Sequence, residues 1–93
     1  MTKADIVAEI AKQTGIEKAV VSEVTVAFME NVKDAMVGGD EVFLRGFGSF
    51  IIKRRAEKTA RNISKNTTII IPAHNIPAFK PAKTFMAAVK DSE

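Results

Sequence analysis

GFGSFIIKRRAEKTARNISKNTTIII, residues 46–71, sets the architecture of this chain. It opens on a tight Gly46-Phe47-Gly48 connection and continues in an extended pattern from Ser49 to Arg55. From Arg54 to Asn62 it then carries no large apolar residue on either alternating face. Asn62-Ile63-Ser64-Lys65-Asn66 has turn character, because Asn tolerates positive φ and its side chain mimics a backbone turn. Thr67–Ile71 is β-branched throughout and favours a strand. Two extended runs around a polar turn make a β-hairpin. Its outgoing strand has nothing to bury at the distal end, so about residues 54–72 are expected to project from the body as an arm.

On the N-terminal side the period is helical. Thr2-Lys3-Ala4-Asp5 has the form of a capping box, and Ile6, Val7, Ile10 and Ala11 follow at helical spacing up to a stop at Gly15. A second helix is expected from about Lys18 to Val37. Val20, Val24, Phe28 and Val32 step by four along one face, with Val21, Ala35 and Met36 widening it. Gly38-Gly39 ends it; no helix follows to make that pair a phosphate cradle. From Glu41 the period becomes two, with Val42 and Leu44 alternating against Phe43 and Arg45. Gly46-Phe47-Gly48 lacks the downstream glycine and the strand-to-helix setting of a nucleotide fingerprint, so it is a turn between strands.

On the C-terminal side, Pro72 and Pro77 are expected to break the return strand or confine it to a sheet edge. Ile76-Pro77-Ala78-Phe79 is a further short extended piece near the core. A last helix is expected over about Ala82 to Lys90, with Phe85, Met86, Ala88 and Val89 on one face. No repeat or low-complexity segment is present.

A chain of 93 residues holds one domain. It has no Cys, so neither disulfides nor thiolate metal sites can staple it. Asp5 and Glu9 interrupt the N-terminal apolar pattern, and no run approaches the roughly 18 apolar residues of a membrane span; neither a signal peptide nor a span is expected. The net charge of +3 hides an uneven distribution. Residues 1–52 carry five Lys/Arg against eight Asp/Glu, and residues 53–93 carry nine against three. The basic residues concentrate in Lys53, Arg54, Arg55, Lys58, Arg61 and Lys65, with only Glu57 opposing them. Such a track along a hairpin suits a polyanion, since phosphate contacts need Lys and Arg presented in a row. A strand of about nine residues reaches ~30 Å at ~3.3 Å per residue, comparable to the ~34 Å of one duplex turn.

Without the arm, about 75 residues remain to hold Phe28, Phe43, Phe47, Phe50, Phe79 and Phe85. A core of that size supplies only ~3–5 kcal/mol. A two-fold dimer would bury the excess aromatic surface. At the tip, Ile63 is a bulky apolar residue with no core to join. It is either a wedge that enters between base pairs and kinks the duplex, or a turn residue packed locally on the hairpin.

Taken together, the chain resembles the bacterial histone-like family of HU and integration host factor proteins, closest to HU. The resemblance is collinear over nearly the whole chain. It rests on Gly39-Asp40 after the second helix, on Gly46-Phe47-Gly48-Ser49-Phe50, on Arg55-Ala56-Glu57-Lys58-Thr59-Ala60-Arg61-Asn62, and on Ile76-Pro77-Ala78-Phe79-Lys80-Pro81-Ala82-Lys83. It implies an α+β fold: a helical base of two N-terminal helices, an antiparallel sheet saddle, an extended β-hairpin arm and a short C-terminal helix, in an intertwined dimer. Residues 1–40 would be the helical dimerisation region, 41–81 the sheet with its arm, and 82–93 the last helix and tail. Phe28, Val32, Leu44, Phe47, Phe50 and Phe79 would form the dimer core. The resemblance places Arg55, Lys58, Arg61, Asn62 and Lys65 along the arm, with Lys53 and Arg54 leading into it. It sets Asn75 near the arm base, and Lys3, Lys80 and Lys83 at flanking or central phosphates. The departure is at the tip, where the family usually has Asn-Pro-x-Thr-Gly: Ile63 replaces the wedge proline and Asn66 the turn glycine.

The expected partners are therefore double-stranded DNA and a second copy, or a paralogue, of this chain, with no membrane and no small-molecule substrate. The expected function is architectural, non-sequence-specific binding and bending of DNA by two minor-groove arms, in the cytoplasm at the nucleoid. A sequence-preferring bender like integration host factor, an RNA-binding module using the same hairpin, and a protein-only dimer module are the alternatives. Neither catalysis nor a cofactor or metal is expected, since His74, the one histidine, has no carboxylate or Cys placed to complete a catalytic or metal site.

Overall fold

The first helix, α1 (Lys3–Thr14), begins where Thr2 can cap it. The Asp5 amide donates to Thr2 Oγ1 at 3.3 Å and the Thr2 amide donates to Asp5 Oδ2 at 2.8 Å, closing the expected capping box. Gly15 ends the helix in the left-handed region at φ 75°, its amide donating to the Ala11 carbonyl. In this computed structural model, which describes residues 1–62 and 67–92, α2 spans Lys18–Val37 and is about 30 Å long at ~1.5 Å rise per residue. The two helices pack as a hairpin around Val7 and Val21.

The sheet follows as β1 (Val42–Leu44), β2 (Gly48–Arg55), β3 (Lys58–Asn62), β4 (Thr67–Ile71) and β5 (His74–Pro81), and α3 (Lys83–Asp91) closes the chain. Strands β1, β2 and β5 form an antiparallel sheet in that order, and β3 pairs with β4 separately. The return piece expected over Ile76–Phe79 is thus longer, running from His74 to Pro81. Pro77 sits inside it opposite Ile52 because β5 is an edge strand, where a missing N–H costs no ladder bond. Strand β1 stops short of Ile52, whose amide donates instead to Glu41 Oε2 at 3.0 Å.

The two sheets share one register. Arg55 faces His74 and, three residues further out, Lys58 faces Ile71. The hairpin therefore keeps one register from the Gly48–Pro81 pair out to the Asn62–Thr67 pair, in two ladders separated where Pro72 offers no N–H. It carries the outer strands away from the body, and the molecule measures 57 × 32 × 29 Å. Its radius of gyration is 18.7 Å, against ~12 Å for a compact chain of this length.

Alternation divides the sheet into two faces. One carries Phe50, Ile52, Phe79 and Pro77 and looks toward the helices. The other carries Ser49, Ile51, Lys53 and Arg55 with their partners Lys80, Ala78, Ile76 and His74. Phe47, Phe79 and Phe85 stack and tilt against one another with centroids 5.1–6.3 Å apart, and Phe50 joins at 5.0 Å from Phe79. That cluster is only half covered: Phe47 is 46% exposed and Phe79 39%. On α2, Phe28 is 47% exposed. Among the described residues, Val7 and Val21 are the only buried apolar side chains.

Gly48 is the point of closest approach. A Cβ there would stand 2.6 Å from Phe79 Cζ and 2.7 Å from the Lys80 carbonyl oxygen, so the ring lies directly against the backbone of β2. Replacing Gly48 with Ala is expected to destabilise the fold by about 1–3 kcal/mol through overpacking, read as a lower urea midpoint at unchanged slope. An unchanged midpoint would mean that Phe79 does not pack on this strand.

Candidate nucleic-acid interface

The hairpin brings the basic residues into line by simple strand geometry. Lys53 and Arg55 lie at the distal end of β2 on the outer face, each exposed, opposite Ile76 and His74. The ladder then carries Lys58, opposite Ile71, and Arg61, opposite Thr68. Lys58 and Arg61 stand on opposite sides of the ribbon, because three residues separate them. Among the described residues, Lys53, Arg55 and Lys58 form no ion pair, whereas Lys33 and Glu30 on α2 do, at 3.1 Å. These three cations, two on the outer face and Lys58 on the other, are thus presented to solvent rather than spent on carboxylates.

Arg54 and Asn75 point the other way. They face each other across β2 and β5, with Arg54 Nη1 donating to Asn75 Oδ1 at 3.4 Å. The sequence run Lys53-Arg54-Arg55 reads as one patch, but alternation splits it between two faces. Ile63 and Lys65, the expected tip residues, lie outside the described residues. The Asn62 backbone pairs with Thr67 at the far end of β3.

A second group forms at the body. Lys80 on β5 and Lys83, the first residue of α3, line an open cleft with Phe43, Arg45, Gly46 and Ser49. Ala82 precedes α3 without a side-chain cap, so the first amides of that helix have no side-chain partner beside a lysine. Arg45 was not singled out in the sequence, where it is an isolated cation 35 positions before Lys80; only the β1–β2–β5 order brings them together. Lys3 occupies the corresponding first position of α1. Lysine at such a position opposes the helix dipole by ~0.3–1 kcal/mol, so it contributes nothing to helix stability there.

Phe43 departs from the other aromatics. The inner face of β1 is taken by Val42 and Leu44, so Phe43 pairs with Ser49 on the outer face and is 71% exposed. Among the expected dimer-core residues, Leu44, Phe47, Phe50 and Phe79 surround the β2–β5 end and α3, while Phe28 and Val32 lie on α2. No helix among the described residues is long and apolar enough to cross a membrane.

A family model described as bacterial DNA-binding protein matches residues 1–90. The DNA-binding protein HU of Thermus thermophilus is 38% identical over 90 residues, covering 97% of this chain and 93% of that protein. Integration host factor subunit alpha of Aliivibrio salmonicida is 33% identical over 91 residues, covering 98% and 93%. Among solved structures, an Anabaena HU–DNA cocrystal structure superposes with a TM-score of 0.91 at 35% identity, covering 96% of this chain and 97% of that one.

Proposed function

Since this chain belongs to the bacterial DNA-binding protein family of HU and integration host factor, we propose that it is an architectural protein that binds and bends duplex DNA as a dimer, without reading base sequence. The observation that carries this is the continuous hairpin, whose cations line a track that leaves the body. The match to an HU–DNA cocrystal structure over nearly the whole chain supports it.

The residues divide the task. A ribbon laid into the minor groove meets a wall on either side, so Lys53, Arg55 and Arg61 would neutralise phosphates along one strand and Arg54, Lys58, Asn62 and Asn75 along the other. Lys65 would extend the track at the tip. Lys80, Lys83 and Arg45 at the body cleft, with Lys3 on α1, would hold DNA that bends back toward the helices. Duplex bending by 40–90° costs of order 1–6 kcal/mol, and phosphate contacts at both arm and body offset it. Sequence preference would then come from DNA deformability, because the minor groove shows a degenerate code.

Residues 1–40 would serve dimerisation, 41–81 the saddle with its arm at about 54–72, and 82–93 closure of the core. The role is structural rather than catalytic, and its place is the cytoplasm at the nucleoid, where such DNA lies. Ile63 would act as the apolar wedge at the kink, as inserted side chains do in minor-groove architectural proteins.

Three measurements check this. Affinity for a duplex of mixed sequence is expected to fall steeply with salt, by about 0.9 log units per log unit of salt for each phosphate neutralised. A flat response would favour a protein-only module, and equal affinity for double-stranded RNA would favour an RNA-binding one. Replacing Ile63 with Ser is expected to reduce bending, read by energy transfer between labelled DNA ends, more than it reduces affinity. An unchanged bend would remove the wedge.

A further inference from the structure

His74 opens β5 at the point where the hairpin leaves the body. Its Nδ1 lies 2.9 Å from the Pro72 carbonyl oxygen. A carbonyl can only accept, so Nδ1 carries the hydrogen and donates. This fixes the tautomer: in the neutral ring Nε2 holds a lone pair, and only in the imidazolium does Nε2 also donate. The contact also anchors the ring on the segment that links arm to body, leaving Nε2 as the nitrogen available to a ligand.

Register supplies the surroundings. His74 is exposed on the outer face directly opposite Arg55, with Lys53 one same-face pair along on β2 and Ile76 next on its own strand. Glu57 lies in the link between β2 and β3, and Lys58 begins β3. Asn75 and Arg54 occupy the other face. The ring therefore stands within the cationic track, where a neutral Nε2 lone pair would repel a phosphate oxygen and a protonated one would donate to it.

We propose that His74 is a further phosphate-binding residue of the hairpin, and that it takes up a proton when a duplex binds. This rests on the duplex-binding function above. A phosphodiester beside Nε2 favours the charged ring, and the bond formed is charge-assisted. The proton comes from solvent, so affinity rises as pH falls. His74 is the only histidine in the chain, so a histidine-linked proton uptake has one possible source.

The test measures binding of a labelled mixed-sequence duplex by fluorescence anisotropy at constant ionic strength, at pH 6 and pH 8, the interval in which histidine changes charge. The unmodified protein is expected to bind more tightly at pH 6, by about three- to tenfold for the His74 of each arm, the size of one charge-assisted hydrogen bond screened by salt. His74→Gln, neutral throughout, should bind equally at both pH values and no tighter than the unmodified protein at pH 8. His74→Lys, charged throughout, should bind tightly at both. Calorimetric titration in two buffers of different ionisation heat should show proton uptake at pH 7 that His74→Gln abolishes. Binding that is salt-dependent but equal at both pH values, or a pH dependence that survives in His74→Gln, overturns the assignment of His74 and leaves duplex binding intact. Failure of the unmodified protein to bind the duplex at either pH overturns the function itself.

Discussion

Burial of the aromatic cluster at the β2–β5 end is the constraint on which the rest of the molecule depends. Phe47, Phe50, Phe79 and Phe85 pack against one another, yet their outer surfaces stay open, and the apolar stripe of α2 through Val24 and Phe28 is equally uncovered. A chain that is 46% hydrophobic but buries only Val7 and Val21 among its described residues has little core of its own. Conformational entropy opposes folding by about 1–2 kcal/mol per residue, and such sparse burial does not offset it. A second copy placing its own stripe and cluster on these faces would supply the missing contacts and couple folding to dimerisation.

The same constraint orients the arms. Gly48 lets the Phe79 ring lie on the strand backbone, so the sheet is pinned to the cluster at its inner end. From that anchor one register runs outward past His74 and Lys58 to Asn62. The break opposite Pro72 removes a ladder bond without shifting the pairing. Cations on the arm therefore hold a defined spacing relative to Lys80, Lys83 and Arg45 on the body. A dimer would bring two such tracks onto one duplex.

Much of this was legible along the chain, and for local reasons. The capping box at Thr2, the stop at Gly15, the four-residue step of α2 and the period-two run after Glu41 are each set by neighbours within a few residues, and the helices fell where these signals put them. The arm was equally legible, because a hairpin strand with no apolar face has nowhere to pack. What escaped was set by distant partners. Lys53, Arg54 and Arg55 form one charge run, and only pairing with Asn75 and His74 shows which face each takes. Arg45 gains its meaning from Lys80 and Lys83, and the length of β5 from an edge position that tolerates Pro77. Phe43 looks like its fellow aromatics in composition, yet alternation turns it to the outer face.

Sedimentation equilibrium combined with far-ultraviolet circular dichroism over a dilution series reads assembly and folding together. Coupled dimerisation predicts a species of twice the 10.1 kDa chain mass, helical signal that is lost as the dimer dissociates, and an unfolding midpoint that rises with protein concentration. A 10.1 kDa species that keeps its helical signal and unfolds cooperatively at a concentration-independent midpoint would contradict it.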